Sequence, residues 1–452
     1  MLNQSYFSAR RAALFDEIDD NSAALIFSAD EKTRSNDTEY HFRQDSTFLY
    51  FTGFSEPESV LVLIKKEGEQ QTVFFNRTKD EVQEIWHGRR LGQEGAVNLF
   101  DITQALPVDE LSELLPELIA GIDTLYHDFS DGNDEFIEGL LSELDSSLDN
   151  SLNSSELNDS LTNSETQAPS HINNLRLISD DMRLFKQPEE LAVMRRAAQI
   201  SCEAHTRAMT YCLAGKFEYQ VEAEILHHFA TNGARFAAYN TIVGGGENAC
   251  ILHYTENESV LKDGDLVLID AGCELHGYAA DITRTFPVNG TFSTEQKAIY
   301  ELVLKAQLAA IELLIPNNTI KQVNDTVVKI LTQGLVDLGI LSGDVDQLIA
   351  DEAHREFYMH GLSHWLGIDV HDVGDYTDKN AAGVKGSRVL EAGMTLTVEP
   401  GLYINDKAGV DPKWHNIGVR IEDDLLITDT GNEVLTAAVV KTVDDIEALM
   451  RK

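Results

Sequence analysis

Hydrophobic residues along the chain fall into short runs separated by amphipathic stretches. A helical period covers roughly 7–20. Apolar runs follow at AALIF (23–27), TFLYFTGF (47–54), SVLVLIK (59–65) and QTVFFN (71–76), and helical patterns return near 80–87 and 108–119. Strands mixed with helices predict an α/β or α+β unit. The second half opens on QPEELAVMRRAAQISCEAHTRAMTYC, where Pro188 and two acids mark a helix start. Further helices are predicted over about 219–232, 294–314 and 319–338. The last hundred residues read mostly as strands, through TLTVEPGLYI, GVRIEDDLLIT and VLTAAVVK.

Between these halves lies SELDSSLDNSLNSSELNDSLTNSETQAPS (142–170), rich in Ser, Asn and acids with sparse leucines. That composition marks a linker or mobile insertion, although the leucines could form a short helix. The predicted domains are therefore 1–175, carrying this acidic insertion, and 176–452.

Charge narrows the function classes. The 35 Lys and Arg stand against 76 Asp and Glu, a formal net charge of −41. Such a field repels phosphate backbones and anionic lipid, so neither nucleic acid nor a membrane surface is an expected partner. The amino terminus, MLNQSYFSARRAALFDEIDD, has no long apolar core, and no later run approaches a membrane span. Cys202, Cys212, Cys250 and Cys273 show no disulfide or zinc-ribbon spacing, which fits reduced thiols in a cytoplasmic protein.

Four carboxylates stand in unusual places. DGDLVLIDAGCELHGYAADITRTFPV (263–288) reads as two strands joined by a turn region holding Gly272 and Gly277. A hairpin with these limits sets Asp270 and Asp281 side by side. Glu399 is embedded in the apolar run TLTVEPGLYI and Glu422 in GVRIEDDLLI. One acid in such a run is ordinarily a solvent-facing position. Four are harder to dismiss, because a buried unpaired carboxylate costs several kcal/mol. Arg284 and Arg420 are the evident basic partners, too few to pair all four. Two divalent cations would neutralise the set. Oxygen-rich ligation with one imidazole suits a hard metal such as Mn2+, with cobalt or zinc possible. Two such ions lower the pKa of a shared water and polarise a carbonyl, which is hydrolytic chemistry.

HGLSHWLGIDVHDVG (360–374) carries His360, His364 and His371. The first two have the spacing of a zinc-protease helix, but Gly361 and Gly367 weaken a helix and no Glu follows His360. The segment is read as irregular chain and strand. One histidine then completes the metal set and the other two face the substrate.

Taken in order, LIDAG, ADITRTF, HGLSHWLG, TVEPG and RIEDD resemble the metal-dependent creatinase-fold peptidases, and within them the aminopeptidase P family. ILHYTENE (251–258), MRLFKQPEE (182–190) and TRSNDTEYHFRQDSTFLYFTGFSEPES (33–59) fit the same family. The resemblance spans nearly the whole chain outside the acidic insertion. It implies an N-terminal α/β domain, then a pita-bread catalytic domain with a pseudo-twofold repeat. It implies Asp270, Asp281, His364, Glu399 and Glu422 as ligands of two metals, with Asp281 and Glu422 bridging. Glu399 would also accept the proton. His253, His360 and His371 would line the substrate site, with Tyr403 and Arg420 in support and Tyr239 near the metals. The implied reaction releases the first residue of peptides with proline second. Trp86 and Trp365 could line a proline pocket, Trp86 from a neighbouring subunit of a tetramer or dimer.

Gly386 departs from the family, which often carries an arginine there, two residues before the position of Arg388. Such an arginine can grip a terminal carboxylate, and Lys385 could substitute for it. Its absence weakens the rival reading as a prolidase, which shares the metal site but takes dipeptides. A methionine aminopeptidase shares the ligands but lacks the N-terminal domain, and a metal-free creatinase or binding-only relative would have lost them. Organophosphorus ester or fluoride hydrolysis is a conceivable side reaction of two Lewis acids. Undetectable turnover of a paraoxon-type ester by the manganese-loaded chain would count against it.

Overall fold

The computed structural model of the chain describes residues 2–152, 168–379 and 385–451. It divides into two compact units, Met1–Met182 and Arg183–Lys452. The division falls inside the Arg176–Leu184 helix.

The first unit is built on a mixed six-stranded sheet. From edge to edge it runs Gln104–Pro107, Glu69–Asn76, Val60–Lys66, Ser22–Phe27, Thr124–His127 and His171–Asn174. Val60–Lys66 is antiparallel to both neighbours, and the outer strands pair in parallel. One face packs Leu25, Val62, Ile64, Val73 and Phe75 against Leu115, Ile119, Ile137 and Leu140 of the covering helices, forming a buried core. The expected strand at TFLYFTGF is instead a helix, Ser46–Thr52. Asp45 caps it, accepting the Phe48 N–H at 2.8 Å, and an N-cap acid overrides the strand preference of an aromatic run. The acidic stretch begins as the end of a helix, Asp134–Leu152. Residues 153–167 of the predicted insertion lie outside the described residues.

The second unit repeats one plan twice. Helices Pro188–Tyr211 and Glu218–Thr231 precede strands Ile242–Gly245, Leu266–Asp270 and Thr283–Pro287. Helices Thr294–Leu313 and Ile320–Asp337 precede strands Thr395–Val398, Gly401–Ile404, Ile417–Arg420 and Asp423–Ile427. Reciprocal caps fix the start of the second helix pair. Ser293 exchanges bonds with Gln296 (3.1 and 2.9 Å), and Thr319 with Gln322 (3.2 and 3.1 Å). VLTAAVVK is not the expected strand. Pairing stops at Val434, because the chain turns so that Thr436 Oγ1 reaches the Asp423 carboxylate at 2.8 Å.

Candidate metal centre and active site

The acidic residues gather where strands end. Asp270 is the last residue of Leu266–Asp270, and it pairs with Thr283 across the antiparallel ladder. The predicted turn between these strands is a smaller hairpin, Cys273–Leu275 with Tyr278–Ala279. Gly272 makes it possible. A Cβ there would lie 1.6 Å from the Ala280 carbonyl oxygen, so no other residue fits the crossing that returns Asp281 to Asp270. Tyr239 joins the two acids, its hydroxyl 2.6 Å from Oδ1 of each.

Glu399 and Glu422 lie between strands, not inside them as the apolar runs implied. Glu399 follows Thr395–Val398, and Glu422 separates Ile417–Arg420 from Asp423–Ile427. Their backbones cross to other segments at these breaks. Glu399 N–H donates to Leu362 O at 2.9 Å and Glu422 N–H to Thr283 O at 3.1 Å. The breaks turn both side chains into the cluster.

The three histidines of 360–374 sit on irregular chain, as predicted, though the only strand-like pairing described there is the bridge from Trp365 to Leu396. His364 Nε2 stands 3.4 Å from Asp281 and 3.7 Å from Glu399. Its Nδ1 lies 3.0 Å from the Trp365 carbonyl, which can only accept. An N–H on Nδ1 satisfies that carbonyl, which leaves Nε2 as the nitrogen that faces the acids. His371 packs against it, ring centroids 4.1 Å apart. His360 has both nitrogens engaged: Nδ1 donates to Gly361 O at 2.8 Å, and Nε2 receives the Tyr403 hydroxyl at 2.8 Å. His253 is exposed.

One guanidinium ties this set together. Arg420 donates to Asp270 at 2.6 Å, to the Tyr403 oxygen at 3.0 Å and to Thr283 Oγ1 at 3.0 Å. Thr283 in turn donates to Glu422 at 2.7 Å. The sequence reading missed Thr283, although its place two residues after Asp281 in ADITRTF was the available signal. Arg284 does not serve the four acids. It is buried against Asp423 at 2.7 Å and the Glu422 carbonyl at 2.6 Å, because alternation along its strand points it to the opposite face.

The electrostatics leave a deficit of positive charge. Burial, with Glu422 nearby, raises the Glu399 carboxyl to about 8. Burial and neighbouring acids push Asp281 and Glu422 well above the usual carboxylate range. The Tyr239 proton can satisfy only one of the two acids it touches. Asp281, His364 and Glu422 bring ligand atoms within 4.8 Å of one another. Carboxylate oxygens with one imidazole lone pair form a donor set that fits hard divalent cations.

The predicted tryptophans differ in exposure. Trp365 is 1% exposed and stacks on Tyr376, so it packs the interior rather than an open substrate surface. Trp86 is 77% exposed on the helix Glu81–His87. Gly386 is exposed in a short strand, and the Arg388 guanidinium lies over the Phe185 ring. The side chain of Lys385 lies outside those described.

Comparison with known proteins identifies the family of the chain. Residues 192–429 match metallopeptidase family M24, and residues 7–126 match the aminopeptidase P N-terminal domain. The Xaa-Pro aminopeptidase of Escherichia coli (strain K12) is 52% identical over 454 residues, covering 99% of this chain and 98% of that protein. The structure of proline aminopeptidase P II from Yersinia pestis superposes with a TM-score of 0.93 at 53% identity, covering 99% of each chain. Zinc-substituted E. coli aminopeptidase P in complex with product gives a TM-score of 0.93 at 51% identity, covering 100% of this chain and 99% of that one. The chain belongs to metallopeptidase family M24 and, within it, to the Xaa-Pro aminopeptidases, divalent-metal peptidases with a pita-bread catalytic domain.

Proposed function

We propose that the buried carboxylates and His364 hold two divalent cations, Mn2+ in the native enzyme, and that the chain uses them to free the first residue of peptides with proline second. Asp270, Asp281, His364, Glu399 and Glu422 are the proposed ligands. The observation that carries this assignment is the convergence of Asp281, His364 and Glu422 within 4.8 Å in a site short of positive charge. Bound there, the cations supply Lewis-acid polarisation of the carbonyl and a water acidified toward neutral pH.

The residues of the chain do the remainder. Glu399 accepts the proton of the attacking water and returns it to the proline nitrogen as the C–N bond breaks. His371 and His253, both exposed and electrostatically coupled to each other, are assigned to donate to the oxygen on which negative charge develops. His360, with both nitrogens engaged, orients Tyr403 and through it Arg420. The free α-amino group of the substrate binds among the acids, which restricts cleavage to the amino end. The proline nitrogen carries no hydrogen, so recognition there relies on ring contact.

Four cysteines that form no disulfide, Cys202, Cys212, Cys250 and Cys273, support a cytoplasmic enzyme. No helix among the described residues is long and apolar enough to cross a membrane. A homo-oligomer, tetramer or dimer, would cover the exposed Val82, Ile85 and Trp86.

The test is to strip the metal, restore Mn2+, and follow free alanine from Ala-Pro-Ala and Ala-Pro. Fast cleavage of the tripeptide with poor cleavage of the dipeptide is expected. The reverse preference would make the chain a prolidase.

A further inference from the structure

MRLFKQPEE (182–190) contributes none of the groups assigned above, yet two of its side chains reach the histidine segment. Arg183 Nη2 donates to Asp372 Oδ1 at 2.6 Å and to Asp369 Oδ2 at 2.8 Å. Lys186 Nζ donates to Asp372 Oδ2 at 2.9 Å. The Lys186 and Asp372 side chains are each 1% exposed and that of Arg183 is 3% exposed. Gly367 is pressed onto the pair: a Cβ there would meet Asp372 Oδ2 at 2.0 Å and Lys186 Cε at 2.8 Å. Buried ion pairs add little net stability over apolar packing of the same volume, but their bonds are directional. Here they fix the far end of a loop.

That end is joined to the metal site through one carbonyl. The oxygen of Trp365 accepts the Asp372 N–H at 2.9 Å and the His364 Nδ1–H at 3.0 Å. The same acceptor therefore anchors the clamped residue and selects the tautomer of the proposed ligand. His371 immediately precedes Asp372, and its ring lies 4.1 Å from that of His364. Displacing Asp372 would move His371 directly.

We propose that Lys186 and Arg183, acting through Asp372, are positioning residues that hold His371 over the scissile carbonyl and against His364. This rests on the role given to His371 above. Neither cation touches substrate; each acts through the loop.

A double-mutant cycle in the Mn2+-loaded enzyme separates positioning from general stability. K186M, H371A and the double variant are assayed on Ala-Pro-Ala with metal content measured in parallel. K186M should lower kcat roughly 10- to 100-fold, the scale of a misplaced group, with KM and metal content nearly unchanged. In the H371A background the same substitution should change kcat by less than about twofold, because the group it positions is gone. An undiminished K186M effect in that background, or no effect in the wild type, would overturn the proposal. R183K runs the same cycle if K186M does not fold. A wild type inactive on Ala-Pro-Ala would instead contradict the proposed function.

Discussion

The imidazoles of His364 and His371 stand with centroids 4.1 Å apart, yet of the two it is His364 that reaches the acids, at 3.4 Å from Asp281 and 3.7 Å from Glu399. The proposed assignment therefore gives the neighbouring rings different work. H364A should lose metal affinity, by roughly 10- to 100-fold or more. H371A should retain both ions and lose kcat by roughly 10²- to 10³-fold, the scale of an oxyanion donor. Metal analysis after dialysis, beside the alanine-release assay, checks both. Equal loss of metal in the two variants would refute the division.

Metal-free protein should be less stable at higher pH. Burial and Glu422 raise the Glu399 carboxyl from 4.5 to about 8. Between those values Glu399 keeps a proton in the folded chain that it loses in the unfolded chain, while His205 and His360, held down to about 4 by burial, oppose that slope up to the ordinary histidine value of 6.5; the net fall in stability is therefore expected as pH rises from 6.5 to about 8. Asp281 and Glu422 shift in the same direction and steepen the slope. Cations replace those protons, so metal-loaded protein should lose the slope, and loading at neutral pH should release protons. Urea midpoints with chelator and with Mn2+ across this range test it. A metal-free midpoint that climbs with pH would show the sign to be wrong.

Thr283 and Tyr403 share Arg420 but should fail differently. T283V removes the hydroxyl that donates to Glu422 at 2.7 Å. Metal affinity should fall roughly 10- to 100-fold, the cost of losing a bond that orients a ligand. Y403F removes the link between Arg420 and His360 and should lower kcat roughly tenfold or more with metal retained. Calorimetric Mn2+ titration of each variant, paired with kcat, separates them; identical metal loss in both would contradict the scheme.

Arg284 supports the centre from the buried side. Its guanidinium donates to Asp423 at 2.7 Å, to Glu422 O at 2.6 Å and to Thr283 O at 2.9 Å. R284M leaves Asp423 with Lys441, at 2.7 Å, and Gln307, at 2.7 Å. Removing one partner of a buried charge costs about 3–5 kcal/mol. Chemical unfolding of the metal-loaded variant should show that loss, and a change under about 1 kcal/mol would mean that Arg284 behaves like a surface ion pair.

The repeated helix pairs and the candidate ligands were legible in the sequence because both leave local marks. Helical periodicity marked 294–314 and 319–338, and acids in apolar runs exposed Asp270, Asp281, Glu399 and Glu422. What the pattern misplaced depended on contacts distant in sequence. The helix Ser46–Thr52 looks like a strand until Asp45 is seen to cap it. The true loop between Asp270 and Asp281 depends on an approach of Gly272 to Ala280 that no periodicity reports. Arg284 and Arg420 look alike as neighbours of acids, and only the direction of each side chain assigns one to Asp423 and the other to Asp270. Lys186 and Asp372 are 186 residues apart, so nothing local announces their pairing.

The most direct test of the central claim is to titrate stripped protein with Mn2+ while following free alanine from Ala-Pro-Ala, with D281N as the control. Activity should rise with occupancy and level off at two ions per chain, and D281N should fail to reach that occupancy. Alanine release from fully metal-free protein, or full occupancy and wild-type turnover in D281N, would contradict the account.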